Sequence, residues 1–394
     1  MKHYNTKQLV LILTPFVFSF AFGLDIYIPI VPRMSEIFNV SPGLIQLTLS
    51  LFLLATGVGQ LLIGPLSDQL GRKKVFYASS FFFMAGSLLC AFSSSIFSLL
   101  LMGRLISACG ACGMLVTAFA LVRDLYAGDE NAKIYSFLNG AIGISPTFAP
   151  IIGGYLSYYF GWQSIFIFLS FIGLSALFMV KFYIQETLKE EDRIKLDAGL
   201  LKRYITIFSN RQFLIYGLIG GLAESVFFCF FSISPFMIIE LHGIPEHQFG
   251  YYFAVFGSVI SLGGFLGGKI TEKFGVRKTI LSGISLIFFG GTLMFCWDCV
   301  HLSLTGFLLP MAIACTGAMF LVGATVSLAL EPFSSMAGTA SAAFGALEFG
   351  MASIAGSLLM LFPVVSSMSY AISLILLSSL SFLLFVKRPG KIKV

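Results

Sequence analysis

The stretch GPLSDQLGRKK, residues 64–74, decides the fold because the chain carries a second copy of it, GKITEKFGVRK, at residues 268–278. A single offset of 204 residues, 268 minus 64, superimposes the two copies. It aligns Gly64 with Gly268, Asp68 with Glu272, Gly71 with Gly275 and Lys74 with Lys278. Each copy follows a long apolar run in the second position of its half. The repetition predicts two similar helical bundles related by a parallel repeat.

Apolar runs of the length that spans a bilayer, about twenty residues, recur twelve times along the chain. They are residues 9–31, 44–66, 75–94, 97–123, 134–157, 163–184, 212–238, 248–268, 279–299, 303–329, 337–361 and 364–386. Because each backbone polar group in lipid needs an internal partner, the runs must be helices or strands of a closed barrel, and runs this long exclude strands. Only 11% of the 394 residues are charged, against about 25% in soluble domains. We therefore expect an all-α integral membrane fold of twelve transmembrane helices, arranged as two six-helix bundles.

Basic residues alternate between the loops. Except for Arg33 and Arg104, all 24 Lys and Arg lie at the two termini, in even-numbered loops and at their helix edges. The positive-inside rule then places both termini and the polar segment 185–211 in the cytoplasm, with the chain in the inner (plasma) membrane. The predicted domains are a bundle over 1–184, a cytoplasmic linker over 185–211 and a second bundle over 212–394.

Several motifs carry a resemblance to a known family. Residues 64–74 resemble the loop signature of the major facilitator superfamily. The segments LDIYIP (24–29), ALVRDLY (120–126) and SPTFAPIIGG (145–154) are similar to the drug:proton antiporters of its bicyclomycin-resistance branch. The resemblance implies the superfamily fold and proton-coupled efflux of small, largely hydrophobic molecules, such as antibiotics, by alternating access. It does not specify the substrate.

Ionisable residues inside predicted spans are the first candidates for function, because a charge at membrane depth normally faces a cavity or a partner. Asp25 and Arg104 lie at similar depth in spans 1 and 4. We hypothesise that Asp25 is the proton-coupling carboxylate and Arg104 its counter-ion. A static structural ion pair is the alternative. Asp298 lies near the outer surface, where it is expected to be solvated.

Glu224 lies in the middle of span 7. It could bind a cationic group of the substrate or take part in proton exchange, and an internal hydrogen bond is the alternative. Tyr27, Phe228 and Phe231 are predicted to line the substrate cavity together with Glu224. Glu348, in span 11, is expected to have a structural partner.

A second group of candidates lies at the cytoplasmic loop, where we expect a gate. Its predicted members are Gly64, Asp68, Gly71, Arg72 and Asp124. Arg72 is expected to pair with Asp124, and by resemblance the cluster would act as a latch. A purely topogenic basic cluster is the alternative.

The motif in span 5 combines residues that bend a helix with residues that admit close packing. These residues are Pro146, Pro150, Gly153 and Gly154.

Other classes of function lack their motifs. No P-loop is present, and no set of His, Asp or Ser nucleophiles falls within the spans, so we expect no enzyme and no cofactor. No metal site is expected, although a disulfide between Cys296 and Cys299 stays open. The expected partners are the lipid bilayer, a small-molecule substrate and protons, with no nucleic acid, and the chain is expected to be a monomer. Export of an endogenous metabolite such as a siderophore, or proton-driven uptake, are the alternative functions.

Overall fold

The computed structural model describes residues 6–126, 128–188, 193 and 198–387, and every regular element of these residues is helical. The α-helices are α1 (Thr6–Asp25), α2 (Val31–Ile37), α3 (Pro42–Leu70), α4 (Arg72–Ala91), α5 (Phe97–Leu125), α6 (Gly128–Phe160), α7 (Gln163–Phe182), α8 (Ala198–Ser209), α9 (Arg211–Pro235), α10 (Glu246–Phe274), α11 (Val276–Val300), α12 (Leu304–Leu330), α13 (Ala337–Leu359) and α14 (Met368–Val386). Short 3-10 turns lie at Ile28–Ile30 and Glu331–Met336, and a π-helical turn at Phe236–Leu241.

Each predicted span coincides with a helical stretch of the structure. Span 1 is formed by α1 and α2 together, and α8 lies in the predicted linker. Within the described residues, eleven helical stretches are long and apolar enough to cross a membrane. The remaining predicted span is α6, which has 33 residues but is less apolar because it carries Asn139 and several Gly, Pro, Ser and Thr. The all-α membrane fold is thereby confirmed.

The chain divides into two compact units. The first comprises Met1–Val40, Leu47–Leu200 and Glu246–Ala254, and the second comprises Ser41–Gln46, Leu201–Pro245 and Val255–Val394. The first turns of α3 and α10 therefore group with the unit formed by the other half of the sequence. The predicted domain boundaries do not include this exchange, because hydropathy marks where a span begins but not what it packs against.

In the first unit, α4 and α5 form the most extensive helix pair. Gly113 on α5 faces Ser79 on α4 so closely that an added Cβ would touch the Ser79 hydroxyl. Small residues at such a contact let two backbones approach, which is the main source of helix association in a membrane.

The second unit repeats this contact between α11 and α12. A Cβ added at Gly317 would lie 2.5 Å from the carbonyl oxygen of Gly283. Gly283 and Gly317 correspond to Ser79 and Gly113 by the same offset of 204 residues, 317 minus 113. The repeat that the loops predict thus extends into the packing of the helices.

Candidate functional site

Asp25 lies where the first span is interrupted. It is the last residue of α1, and a 3-10 turn at Ile28–Ile30 follows before α2 begins. The Asp25 side chain is buried, with 5% of its surface exposed. Ser145 on α6 donates a hydrogen bond of 2.7 Å from Oγ to Asp25 Oδ2. Ser145 opens the span 5 motif, yet the sequence analysis did not include it among the site residues.

The span 5 motif brings α6 against this interruption. A Cβ at Gly153 would touch the carbonyl oxygen of Ile26, so only glycine admits this approach. Gly154 faces the backbone of the first turn of α10 in the same way. Pro146 and Pro150 lie inside α6, which continues as one helix through both. The motif therefore packs α6 beside Asp25, which brings Ser145 within hydrogen-bond reach.

Arg104 is buried in α5 with 1% of its surface exposed. Its Nη1 donates to the carbonyl oxygen of Gly23 at 2.7 Å, and its Nε donates to that of Thr48 at 3.0 Å. The guanidinium carbon lies 4.3 Å from the ring centroid of Phe52 and 5.1 Å from that of Tyr27. Nη2 has no hydrogen-bond partner among the described residues. Backbone carbonyls and aromatic rings thus surround this cation.

The predicted ion pair between Asp25 and Arg104 is not formed in this structure. No salt bridge joins them within the described part of the chain. The two side chains diverge because Asp25 bonds to α6, whereas Arg104 binds the backbone of α1 two residues earlier and that of α3. The hypothesis that Arg104 is a direct counter-ion is corrected accordingly.

Tyr27 is also placed differently from the prediction. It is fully buried, its hydroxyl lies 3.3 Å from Thr48 Oγ1, and its ring packs on Phe166 at 5.5 Å. Tyr27 therefore belongs to the surroundings of Arg104 and does not line an open cavity.

In the second unit, Glu224 is half-buried, whereas the other residues of α9 from 219 to 235 are buried. Glu348 on α13 lies close enough to interact with it electrostatically. The two helices approach through Gly217 and Gly221, where added Cβ atoms would lie 2.9 Å from Leu347 Cδ1 and 2.5 Å from Met351 Sδ. The sequence analysis assigned Glu348 a structural partner and did not connect the two carboxylates.

Phe228 and Phe231 pack inside the second unit. Phe228 is 2% exposed, and a Cβ at Gly356 would lie 2.5 Å from its ring. Phe231 is 9% exposed and meets the ring of Phe256 edge to face at 5.4 Å. Their rings fill helix contacts in this structure, and their place in a cavity wall stays a prediction.

The cytoplasmic loop candidates form a compact ionic cluster in the first unit. Arg72 is 2% exposed, and its Nη2 lies 2.6 Å from Asp68 Oδ1. Its Nε donates to Asp124 Oδ2 at 2.8 Å, as the sequence analysis expected, and its Nη1 donates to Ser67 Oγ at 2.7 Å. We call these four residues the Arg72 cluster. It joins the ends of α3, α4 and α5.

Glu186 adds a carboxylate to this region that the sequence analysis did not include in the gate. Its Oε1 accepts from the backbone nitrogen of Arg72 at 2.9 Å, and its Oε2 from that of Lys73 at 3.2 Å. N–H groups in the first turn of a helix have no acceptor within that helix, and the helix dipole favours an anion beside them. Gly71, with φ of 97°, makes the turn, and a Cβ there would touch the Glu186 carboxylate. Among the described residues, nothing lies within 4 Å of a Cβ at Gly64, so its predicted place in the gate gains no contact here.

Membrane-spanning helices, a duplicated packing pattern and ionisable side chains buried within the spans define a multi-pass membrane transporter. Residues 13–357 match the family model of the Major Facilitator Superfamily. The chloramphenicol resistance protein of Pseudomonas aeruginosa is 31% identical over 344 residues, covering 86% of this chain and 81% of that protein. A bicyclomycin resistance protein homolog of Haemophilus influenzae is 30% identical over 345 residues, covering 86% and 85%.

Solved structures share the fold. The xylose transporter XylE from E. coli, in a partially occluded inward-open conformation, has a TM-score of 0.76 at 15% identity, covering 98% of this chain and 99% of that one. A bacterial homolog of the human lysosomal transporter Spinster has a TM-score of 0.67 at 17% identity, covering 97% of each chain. The chain belongs to the Major Facilitator Superfamily, and it is a transporter, not an enzyme. The resemblance to the bicyclomycin-resistance branch is confirmed.

Proposed function

We propose that this transporter exports small, largely hydrophobic molecules across the inner membrane, driven by protons moving inward, by alternating access. The relatives named for resistance to chloramphenicol and bicyclomycin support export as the direction and antibiotics as the substrate class. We also propose that the transporter is a monomer. Both termini are proposed to lie in the cytoplasm, because the distribution of basic residues favours that orientation.

Asp25 carries the proposal of proton coupling. Its carboxylate is buried in an interrupted span, accepts a hydrogen bond from the Ser145 hydroxyl and forms no ion pair among the described residues. An ionised carboxylate is costly at such a place, whereas a protonated one is not. Asp25 therefore takes up a proton when buried and releases it when solvent reaches the interruption after α1.

Arg104 has a supporting part in this mechanism. Its bonds to Gly23 and Thr48 hold the last turn of α1 against α3.

A matched pair of variants in inverted membrane vesicles tests this coupling. With an acidic vesicle interior, the wild type is expected to accumulate chloramphenicol, since uptake into inverted vesicles corresponds to export. Asp25→Asn is expected to abolish accumulation while keeping substrate exchange without a gradient. The control variant is Asp298→Asn, which is expected to accumulate chloramphenicol normally. The Asp298 carboxylate accepts a hydrogen bond of 2.8 Å from the Ser367 hydroxyl. Transport by Asp25→Asn with the wild-type pH dependence would disprove the role of Asp25.

Glu224 is proposed to bind cationic groups of substrates, with Glu348 beside it. Two carboxylates that interact electrostatically favour a positive charge beside them. Glu224→Gln is expected to reduce transport of cationic dyes at least tenfold and leave neutral chloramphenicol unchanged. No effect on either class would remove Glu224 from the site. A substrate panel that moves siderophores but no antibiotic would instead support dedicated metabolite export.

A further inference from the structure

The helix α8 is held at the membrane edge by its connection to α9. Asn210 alone separates Ser209, the end of α8, from Arg211, where α9 begins. Asn210 Oδ1 accepts the backbone N–H of Phe213 at 3.0 Å and so caps the first turn of the span. With 12 residues, α8 is about 18 Å long, too short to cross the hydrocarbon core.

One side of α8 packs on the protein. Ile207 is fully buried, and the ring of Phe208 meets that of Phe213 edge to face at 5.8 Å. Phe213 in turn packs on Phe333 at 5.9 Å, within the second unit. These contacts fix the rotation of α8 about its own axis.

The neighbouring side of α8 is apolar and uncovered. Leu201 is 67% exposed and Ile205 is 57% exposed, and their spacing of four residues puts them on one stripe. The apolar arc of the helix is therefore wider than the part that packs on the protein. Lys202 and Thr206 are exposed beside this stripe.

The charged side chains of α8 itself have one sign, while the nearby carboxylate of Glu331 accepts a hydrogen bond from Gln212 Nε2 at 2.8 Å. Lys202 and Arg203 are exposed, and the segment 198–211 contains no Asp or Glu. Arg211 donates a hydrogen bond of 2.8 Å from Nη2 to the carbonyl oxygen of Lys387, so Lys387 also lies at this edge. A basic edge next to an apolar stripe matches a bilayer surface that carries anionic phosphates.

We propose that α8 is an interfacial helix that docks on anionic lipid. Leu201 and Ile205 enter the boundary between headgroups and acyl chains. Lys202 and Arg203 stay at the level of the lipid phosphates. The docking anchors the start of α9, the helix that carries Glu224, to the membrane surface.

Digestion with trypsin measures this docking in the wild-type chain, because trypsin cleaves after Lys202 and Arg203. The full chain is reconstituted in vesicles of phosphatidylcholine, with or without phosphatidylglycerol. Cleavage at both sites is expected to be roughly tenfold slower with phosphatidylglycerol, since docking suppresses the local unfolding that proteolysis needs. Cleavage after Arg277 and Lys278, which are exposed in the first turn of α11, is the internal standard and is expected to be unchanged.

Variants and solution conditions separate the sources of protection. Leu201→Ser/Ile205→Ser is expected to lose the protection, while Thr206→Ser on the adjacent polar side keeps it. Salt at about 1 M is expected to weaken it. Inorganic phosphate with phosphatidylcholine vesicles is expected to give none. Equal cleavage in the two lipids, protection by free phosphate alone, or protection seen only in native membranes, which indicates a protein partner, would each overturn the proposal.

Discussion

The two copies of the loop motif share a backbone and differ in their charges. Gly71 and Gly275 both adopt a positive-φ, extended-ψ conformation that is essentially restricted to glycine, with φ of 97° and 81° and ψ of 148° and 158°. Each ends one long helix and begins the next without a further residue. In the first copy Arg72 is buried among carboxylates, whereas Val276 stands at the matching position of the second.

The second copy is held by hydroxyl groups instead. Thr271 Oγ1 donates to Thr279 Oγ1 at 3.0 Å, and Glu272, Arg277 and Lys278 are exposed. No ion pair forms there among the described residues. The comparison separates two roles of one motif: the glycine makes the turn in both halves, and the buried ionic cluster belongs to the first half only.

The largest effect is expected at Arg72. Arg72→Ala leaves Asp68 and Asp124 without their cation. Because these two carboxylates are 33% and 18% exposed, the cost is expected to stay below the about 3–5 kcal/mol of breaking a fully buried pair. The variant is expected to unfold at a clearly lower temperature in detergent and to lose transport. Arg277→Ala, the exposed arginine of the second copy, is the matched control and is expected to stay within about 0.5 kcal/mol of the wild type. Equal losses in the two variants would mean that burial does not distinguish the copies.

The next largest losses of stability are expected for substitutions of Gly71 and Gly275. Alanine in this glycine-only conformation costs about 1–3 kcal/mol, so both Gly71→Ala and Gly275→Ala are expected to lower the unfolding temperature. Gly71→Ala should cost more, because its Cβ would displace the Glu186 carboxylate, while nothing lies within 4 Å of a Cβ at Gly275. The difference is measured by thermal unfolding of the two variants side by side. A larger loss at Gly275 would contradict the contact assigned to Gly71.

Glu186 is expected to have a smaller effect. Glu186→Ala removes the acceptor of two backbone N–H groups at the start of α4, and the loss of such a cap costs about 1 kcal/mol. The α4 amides of Arg72 and Lys73 should then exchange hydrogen faster in mass spectrometry. Glu272→Ala in the second copy, where the carboxylate is exposed, is the control and is expected to leave exchange unchanged. Unchanged exchange in Glu186→Ala would show that α4 begins equally well without its anion.

These differences also show how far the sequence determines the site. Hydropathy predicts the spans, basic residues predict which loops are cytoplasmic, and the duplicated loop motif predicts the repeat, because all three depend on position along the chain. The Arg72–Asp124 pair was predictable since both residues end spans on the same side of the membrane. Glu186 was not, because its contact with Arg72 joins residues far apart in the chain and depends on how α7 ends.

The Asp25–Arg104 pair failed for a related physical reason. Depth along a span is readable from sequence, and the two residues do lie at similar depth. The rotation of each helix about its axis is not readable, and it turns Asp25 towards Ser145 and Arg104 towards the carbonyl groups of Gly23 and Thr48. The same limit applies to Phe228, whose ring the helix rotation turns into a packed interface.

The smallest effect is expected when the missing arginine is put back. Val276→Arg restores the spacing of four residues between an acid and an arginine, because Glu272 then precedes Arg as Asp68 precedes Arg72. Glu272 is exposed, so the new pair should contribute no more than about 0.5 kcal/mol. A double-mutant cycle with Glu272→Ala, followed by thermal unfolding, measures this coupling directly. A coupling above about 1 kcal/mol would exceed that of most exposed pairs, and it would mean that the second copy already holds its acid in place for an ionic cluster. The contrast between the two halves would then depend on the identity of one residue, not on the burial that α5 and Glu186 provide around Arg72.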